Sequence, residues 1–104
     1  MSVFEVRIEG DARVVVLGEL DMATAPQLTD AVDCLARTSA PRVVVDLREV
    51  SFIDSSGVSA LCLAQAKLEV SGAVLVLGGI SSQVESVLRM TGLESEFVRE
   101  APSA

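Results

Sequence analysis

The sequence of 104 residues lacks histidine, tryptophan and tyrosine, and its only aromatic side chains are three phenylalanines. Without histidine, the commonest general acid–base and the usual partner of a catalytic serine are missing. For Ser55 or Ser56 the nearest alternative base is Lys67, about three helical turns further along the chain. The glycines form neither a phosphate-binding loop followed by lysine nor a complete dinucleotide fingerprint. We therefore expect a protein that is not an enzyme and that uses no cofactor or metal.

Basic residues are scarce. Eight lysines and arginines stand against fifteen acidic residues, which gives a formal net charge of −7. A nucleic-acid-binding face and an anionic membrane surface both require clustered basic residues. No apolar run reaches the roughly 18 residues of a membrane span, and the first residues do not form a secretory signal. We expect neither nucleic acid nor membrane as a partner, whereas a basic protein partner is compatible with this charge.

Cysteine is also rare. Cys34 and Cys62 lie far apart, without the spacing of metal ligands. Each falls in an apolar helical pattern, so we expect both to be small buried side chains. A reducing, cytoplasmic location agrees with these features.

Half of the residues are apolar, and the length suits one domain, with residues 1–100 folded and 101–104 a flexible tail. Apolar periodicity predicts an α/β protein in which strands alternate with helices. The first strand should bury Phe4, Val6 and Ile8, and Met90 should belong to the core. The predicted strands are 3–9, 13–17, 42–47, 73–77 and a short 97–99, and the predicted helices begin near 24, 56 and 81.

Three loops follow the carboxyl ends of predicted strands, at 19–24, 54–56 and 78–82. In open α/β sheets functional residues gather at that edge, so we expect the loops to form one surface. Thr24 is the expected N-cap of the first helix. Ser82, followed three residues later by Glu85, predicts a capping box for the third.

The segment Asp54-Ser55-Ser56-Gly57 lies where a strand changes to a helical pattern. A serine there can cap the helix, or it can carry a phosphate that the free first-turn amides and the helix dipole would tolerate. Asp54 can simply hold the turn through backbone amides. Similarly, Asp21 can simply end a strand, and we give Asp46 a structural role only.

The predicted helix after this turn has few polar side chains. Val58, Leu61 and Leu68 can form a buried stripe together with Cys62. Leu63 is then exposed beside Ser59 and Ser55, which makes it a natural contact for a partner.

These segments together resemble the STAS domain in its small stand-alone form, the anti-sigma-factor antagonist. The first signature is Leu-Gly-Glu-Leu-Asp at 17–21, followed by Thr24 and Ala25. The second comprises Val-Asp-Leu at 45–47 and Val-Ser-Phe-Ile-Asp-Ser-Ser-Gly-Val at 50–58, and residues 90–93 (Met-Thr-Gly-Leu) match a later stretch. The resemblance implies a mixed sheet of four or five strands, with the helices packed mainly on one face.

The resemblance also implies a function as a regulatory switch. The unphosphorylated chain would bind an anti-sigma factor that is itself an ATP-carrying serine kinase, and so release the sigma factor for transcription. Phosphorylation of Ser55 would end that binding, and a separate serine phosphatase would reverse it. We expect a monomer or weak dimer. The expected partner-binding residues are Asp21, Thr24, Asp54, Ser55, Ser56, Gly57, Ser59 and Leu63.

Three other functions remain open, of which an enzyme is the minor one because of the missing groups described above. Related domains act as scaffolds or subunits of stress-sensing or lipid-transport complexes, without a kinase cycle. A small ligand could also bind the loop cluster, although the sequence has no phosphate-binding motif there.

Overall fold

The structure, a computed structural model, describes residues 4–10 and 12–100. The predicted order of strands and helices is confirmed. Val3, the second residue of the Gly10-Asp11 turn and the expected tail at 101–104 lie outside the described residues. The elements are β1 (Glu5–Glu9), β2 (Arg13–Leu20), α1 (Ala25–Ala36), β3 (Arg42–Ile53), α2 (Ser55–Val70), β4 (Val74–Ile80), α3 (Ser82–Met90) and β5 (Val98–Arg99).

The five strands form one mixed sheet in the order β1-β2-β3-β4-β5. Strand β1 pairs antiparallel with β2 through a hairpin, and all the other neighbours are parallel. Each parallel pair is joined by a helix, and right-handed crossovers that step across a sheet in one direction place their helices on the same face. Buried residues of all three helices belong to one core cluster with the strands. The three helices therefore lie on one face, as the resemblance implied.

The hydrophobic core lies between that face and the helices. Alternate residues of the central strands point into it, because successive side chains of a strand face opposite ways. The core is almost wholly aliphatic, as the composition requires. Its members include Val14, Val16, Val43, Val45, Leu47, Leu75 and Leu77 from the strands, and Leu28, Val32, Leu35, Leu61, Leu68, Val84 and Leu88 from the helices.

Three strands run further than the sequence predicted. Strand β3 continues through its second apolar patch to Ile53, and β2 continues to Leu20, which pairs with Ile53. Strand β4 passes through Gly78 and Gly79, which we expected to end it. A Cβ at Gly79 would lie 2.5 Å from Cγ of Arg48, so a neighbouring side chain occupies the space of the missing one. Pairing with adjacent strands overrides the local stop signal.

Three apolar side chains expected to be buried are exposed. Ile8 is 45% exposed because β1 is an edge strand. Met90, at the last residue of α3, is 80% exposed. Cys34 is exposed because the buried stripe of α1 runs along Leu28, Val32 and Leu35, and a residue directly before Leu35 points away from that stripe. Cys62 is partly buried, and burial raises the pKa of its thiol, as does nearby Glu96.

The second face of the sheet carries an ionic cluster centred on Asp46, which is 5% exposed. Its Oδ2 accepts from the guanidinium of Arg48 at 2.7 Å and from that of Arg13 at 2.9 Å. Arg13 also pairs with Glu100 at 3.3 Å. Burial alone raises the pKa of Asp46, but the hydrogen bonds from Arg48 and Arg13 outweigh it and hold the pKa at about 2, below the ordinary 3.8. The structure thus gives Asp46 the structural role expected of it.

In the part of the chain that the structure describes, no helix is both long and apolar enough to cross a membrane.

Candidate functional site

Asp54 is the N-cap of α2. Its backbone is extended (φ −119°, ψ −170°), and its Oδ1 accepts from the backbone N–H of Ser56 at 2.9 Å and of Gly57 at 3.1 Å. Of the alternatives left open for this turn, the structure shows the one in which Asp54 holds it through backbone amides. Neither serine is the cap, because β3 extends to Ile53 and places the Asp54 carboxylate in the cap position. It also follows that two first-turn amides, expected to be free for a phosphate, already have an acceptor.

Ser55 is the first residue of α2, and its side chain is exposed. The hydrogen bonds among residues 4–10 and 12–100 include none from its hydroxyl. Ser56, the next residue, is only partly exposed. Since capping does not use the Ser55 hydroxyl, it is available for contact with another molecule.

Gly57 allows α2 to begin close to the end of β2. A Cβ at this position would lie 2.6 Å from the carbonyl oxygen of Leu20 and 2.6 Å from Cγ1 of Ile53. Distances of this size are shorter than real contacts, so any side chain would push the helix away from the sheet. Gly57 is itself buried, and it determines how the serines are presented.

The loop between β2 and α1 is held by its own polar side chains. Asp21 Oδ1 accepts from the N–H of Ala23 at 3.0 Å and of Thr24 at 3.1 Å. The Thr24 hydroxyl donates to the carbonyl of Glu19 at 2.7 Å and accepts from the N–H of Asp21 at 2.9 Å. Thr24 is at the N-cap position of α1, as predicted, but its side chain bonds back into the loop and does not cap the helix.

The loop after β4 and the first turn of α3 are both tied to β3. The Ser81 N–H donates to the carbonyl of Leu47 at 3.2 Å, and Gln83 Oε1 accepts from the N–H of Ile53 at 2.8 Å. Ser81 caps α3 by accepting from the N–H of Val84 at 3.3 Å. The N-cap is therefore Ser81, one residue before the predicted one, and the predicted capping box of Ser82 and Glu85 is wrong.

The carboxylate of Glu85 instead pairs with Arg99 at 2.9 Å and with Arg89 at 3.5 Å. The pair with Arg99 joins α3 to β5, whereas the pair with Arg89 lies within α3 itself.

The first two loops enclose a groove between the amino-terminal ends of α1 and α2, which we call the serine groove. It has a volume of about 380 Å³. Met22 is 78% exposed and Leu63 is 50% exposed, which confirms the exposed position expected of Leu63. Side chains that line the groove are Met22, Ala25, Pro26, Thr29, Ser55, Ser56, Ser59, Ala60 and Leu63.

The groove brings together some of the expected residues and not others. Ser55, Ser56, Ser59 and Leu63 line it. The other four expected residues, Asp21, Thr24, Asp54 and Gly57, are not among those that line it. The third loop does not line the groove. Ser81 in that loop bonds instead to Leu47 in the middle of β3, so the expected single surface is built from two loops.

Sequence reasoning missed the α1 wall of the groove. Ala25, Pro26 and Thr29 lie in the first turns of that helix. An apolar Met22 in a polar loop was the available signal for this wall. Gln83 had no such signal, because its contact with Ile53 joins residues 30 positions apart.

The side chains of the groove suit binding better than catalysis. No lysine or arginine is among the residues that line it. Lys67, the candidate base, has its Nζ 2.8 Å from Oδ2 of Asp33 in an ion pair. Within the described ranges, no three acidic or thiol side chains lie close enough together to hold a metal ion. The site therefore offers an exposed hydroxyl beside an apolar depression.

Comparison with known proteins agrees with this geometry. Residues 4–99 match the family model described as "Mlab, STAS domain". The anti-sigma-B factor antagonist of Listeria monocytogenes is 32% identical over 80 residues, which cover 77% of this chain and 70% of that protein. The anti-sigma-B factor antagonist of Staphylococcus aureus is 28% identical over 81 residues, which cover 78% of this chain and 75% of that protein.

Solved structures give the same result. An anti-sigma factor antagonist from Mycobacterium paratuberculosis superimposes with a TM-score of 0.77 at 27% identity, covering 98% of this chain and 87% of that one. SpoIIAA in its unphosphorylated form has the same fold, with a TM-score of 0.72 at 22% identity over 95% of this chain and 89% of its own. On sequence and fold together, the chain belongs to the STAS domain family, among the anti-sigma factor antagonists.

Proposed function

We propose that this protein binds a serine-kinase anti-sigma factor through the serine groove, and so releases the sigma factor for transcription. In this proposal the kinase partner, which carries the ATP, phosphorylates Ser55 and thereby ends the complex, and a serine phosphatase restores it. The observation that carries the proposal is the exposed Ser55 hydroxyl at the groove, which the fold does not use because Asp54 caps the helix.

The apolar part of the groove supports a protein partner. Met22 and Leu63 are large side chains exposed on either side of it. Covering a half-exposed apolar side chain of this size contributes roughly 1 kcal/mol to association. An apolar side chain of the partner that enters the groove would also cover the Ser55 hydroxyl, so binding and modification would use the same surface.

The electrostatics of the turn explain how a phosphate would end binding. A phosphate on Ser55 adds about −1.5 to −2 charges. Asp54 is the adjacent residue, and its carboxylate already accepts from the Ser56 and Gly57 amides, so these donors are not free to neutralise the phosphate. No basic side chain lines the groove either. A partner would have to cover an uncompensated charge, and a loss of about 3 kcal/mol lowers affinity more than a hundredfold.

Phosphate transfer can be tested directly. The purified protein is incubated with ATP and, one at a time, with each serine-kinase anti-sigma factor encoded in the same genome. Intact mass and peptide mass spectrometry then locate the phosphate. We expect one partner to modify wild-type protein at Ser55, Ser55→Ala to remain folded and unmodified, and the neighbouring control Ser56→Ala still to accept phosphate.

Titration calorimetry with the same partner tests the effect on binding. Ser55→Ala should bind like the unmodified protein. Ser55→Asp should bind less well, although one carboxylate carries less charge than a phosphate. Phosphate found only on Ser56, or equal affinity of the phosphorylated and unmodified proteins, would contradict the proposal.

The same experiments distinguish the other functions. Binding without phosphate transfer would indicate a STAS scaffold or subunit that works without a kinase cycle. Sustained release of phosphate from ATP by the purified chain alone, lost in Ser55→Ala, would instead indicate an enzyme.

A further inference from the structure

The second half of β3 has a strand partner on only one side. Residues 42–47 of β3 pair with β4, which ends at Ile80. From Glu49 to Ile53 the pairing continues with β2 alone. On the other side, the start of α3 takes the place of a strand, and its Gln83 side chain accepts the N–H of Ile53 at 2.8 Å.

This hydrogen bond lies directly before the turn that presents Ser55. Ile53 is the last residue of β3, and Asp54 after it holds the first turn of α2 through the amides of Ser56 and Gly57. The Ile53 side chain is buried and packs where a Cβ of Gly57 would lie. Ile53 is thus joined to the first turn of α2 both along the chain, through Asp54, and by the packing of its side chain against Gly57.

We propose that Gln83 is a positioning residue for Ser55, because it fixes the end of β3 from which the serine turn begins. The consequence for phosphate transfer rests on the function proposed above. Transfer requires the accepting oxygen to be held close to its productive position, and a displacement of about 1 Å far from the chemistry can cost a large factor in rate. Gln83 itself does not line the groove, so it would act on transfer through Ile53 and Asp54.

Two substitutions separate the hydrogen bond from the bulk of the side chain. Gln83→Met keeps the length but replaces the amide oxygen by a thioether, which is a weak acceptor. Gln83→Glu keeps an oxygen in the same place and should preserve the bond. The matched control is Gln65→Met, since Gln65 on α2 makes only a 3.5 Å contact with the carbonyl of Glu96 and does not line the groove.

Three measurements are made on each variant. NMR gives the hydrogen-exchange rate of the Ile53 amide and the resonances of the Ser55 and Ser56 amides. Urea unfolding reports global stability. The rate of phosphate transfer is measured at saturating concentration of the kinase partner that modifies the wild-type protein, so that a change in affinity does not enter.

In Gln83→Met we expect the Ile53 amide to exchange about three- to tenfold faster, the factor that one hydrogen bond is worth. The Ser55 and Ser56 resonances should move, and transfer at saturation should slow by a similar factor. Gln83→Glu should restore slow exchange at Ile53, and Gln65→Met should behave like the wild type.

The positioning role is overturned if Gln83→Met leaves the Ile53 exchange rate and the Ser55 resonance unchanged. It is also overturned if Ile53 is released while transfer at saturation keeps its wild-type rate. Should wild-type protein accept no phosphate from any partner, the proposed function fails. Exchange at Ile53 and the Ser55 resonance then decide by themselves whether Gln83 positions the turn.

Discussion

Two aspartates at the two ends of one strand segment are used in opposite ways. Asp46 lies on the second face of the sheet, buried between the guanidinium groups of Arg13 and Arg48. Asp54, eight positions later, accepts from the backbone amides of Ser56 and Gly57, and it is followed by a serine whose hydroxyl makes no hydrogen bond to residues 4–10 or 12–100. The first carboxylate is neutralised by side chains, whereas the second leaves its negative charge at the edge of an apolar groove.

The comparison separates groups that maintain the fold from groups that are free to act. Around Asp46 each charged side chain has a charged neighbour, so a substitution should reduce stability. The Ser55 hydroxyl and the Leu63 side chain are exposed and contribute little to the stability of the fold. A substitution at either position should therefore change binding and leave the fold nearly intact.

The largest effect is expected for Asp46→Ala. It leaves Arg13 and Arg48 without their shared carboxylate. We expect the free energy of unfolding to fall by about 3 kcal/mol, the low end of the usual cost of breaking a buried ion pair. The low end applies here because the Arg48 side chain is largely exposed. Urea unfolding measures this change in the free energy of unfolding. The control Asp33→Ala breaks the partly exposed pair with Lys67 and should cost less than about 1 kcal/mol. Equal losses in the two variants would remove the distinction on which the comparison rests.

Acid should destabilise the fold by protonating Asp46. The folded pKa of Asp46 is about 2 and its ordinary value is 3.8. Because the folded value is the lower one, the carboxylate stabilises the fold fully above a pH of about 4, and this contribution disappears as the pH falls towards about 2. At about 1.4 kcal/mol per pKa unit, the loss is about 2 kcal/mol.

Unfolding free energies measured between a pH of about 5 and about 2 should therefore fall more steeply for the wild type than for Asp46→Asn, which has no carboxylate to protonate. Parallel curves would show that Asp46 is not the group responsible.

Gly57 lies beside the serines but is buried, so Gly57→Ala should reduce stability although Ser55→Ala should not. The added methyl would meet the Leu20 carbonyl and the Ile53 side chain at 2.6 Å, so α2 must move. We expect a loss of about 2 kcal/mol in the free energy of unfolding, typical of overpacking, together with weaker partner binding. Ser56→Ala, at the adjacent position, serves as the control for unfolding. Wild-type stability in Gly57→Ala would mean that the helix can begin elsewhere.

The smallest effects on stability are expected for Asp54, which caps α2, and for its neighbour Ser55. Asp54→Ala removes the acceptor of two amides and should cost about 1 kcal/mol. Ser55→Ala removes an exposed hydroxyl and should stay within about 0.5 kcal/mol of the wild type, as expected for surface substitutions. Thermal and urea unfolding of both variants measure the difference. A larger loss in Ser55→Ala would restore the serine as the cap.

Local periodicity was enough to predict much of the fold. The order of elements, the hairpin and the exposure of Leu63 all follow from which positions repeat at two or at 3.6 residues. The identity of the cap did not follow, because aspartate and serine are equally good caps and the choice depends on where β3 ends. Pairing with β2 carries that strand to Ile53, which a window of local sequence does not contain.

Other features depend on contacts that sequence reasoning does not reach. The bond from Ile53 to Gln83 joins residues 30 positions apart, and its existence depends on β4 ending before β3 does. Cys34 and Met90 were placed in the core because they are apolar, but an apolar residue is often exposed when its helix turns it away from the sheet.

The unequal exposure of the two cysteines gives the protein a single convenient attachment point. Cys34 is exposed on α1, more than one turn beyond Thr29 at the groove. Cys62 is partly buried with a raised pKa, so it offers less of the thiolate that maleimides attack. A fluorophore at Cys34 would therefore label wild-type protein selectively, and it would report the arrival of a partner from outside the surface that the partner covers.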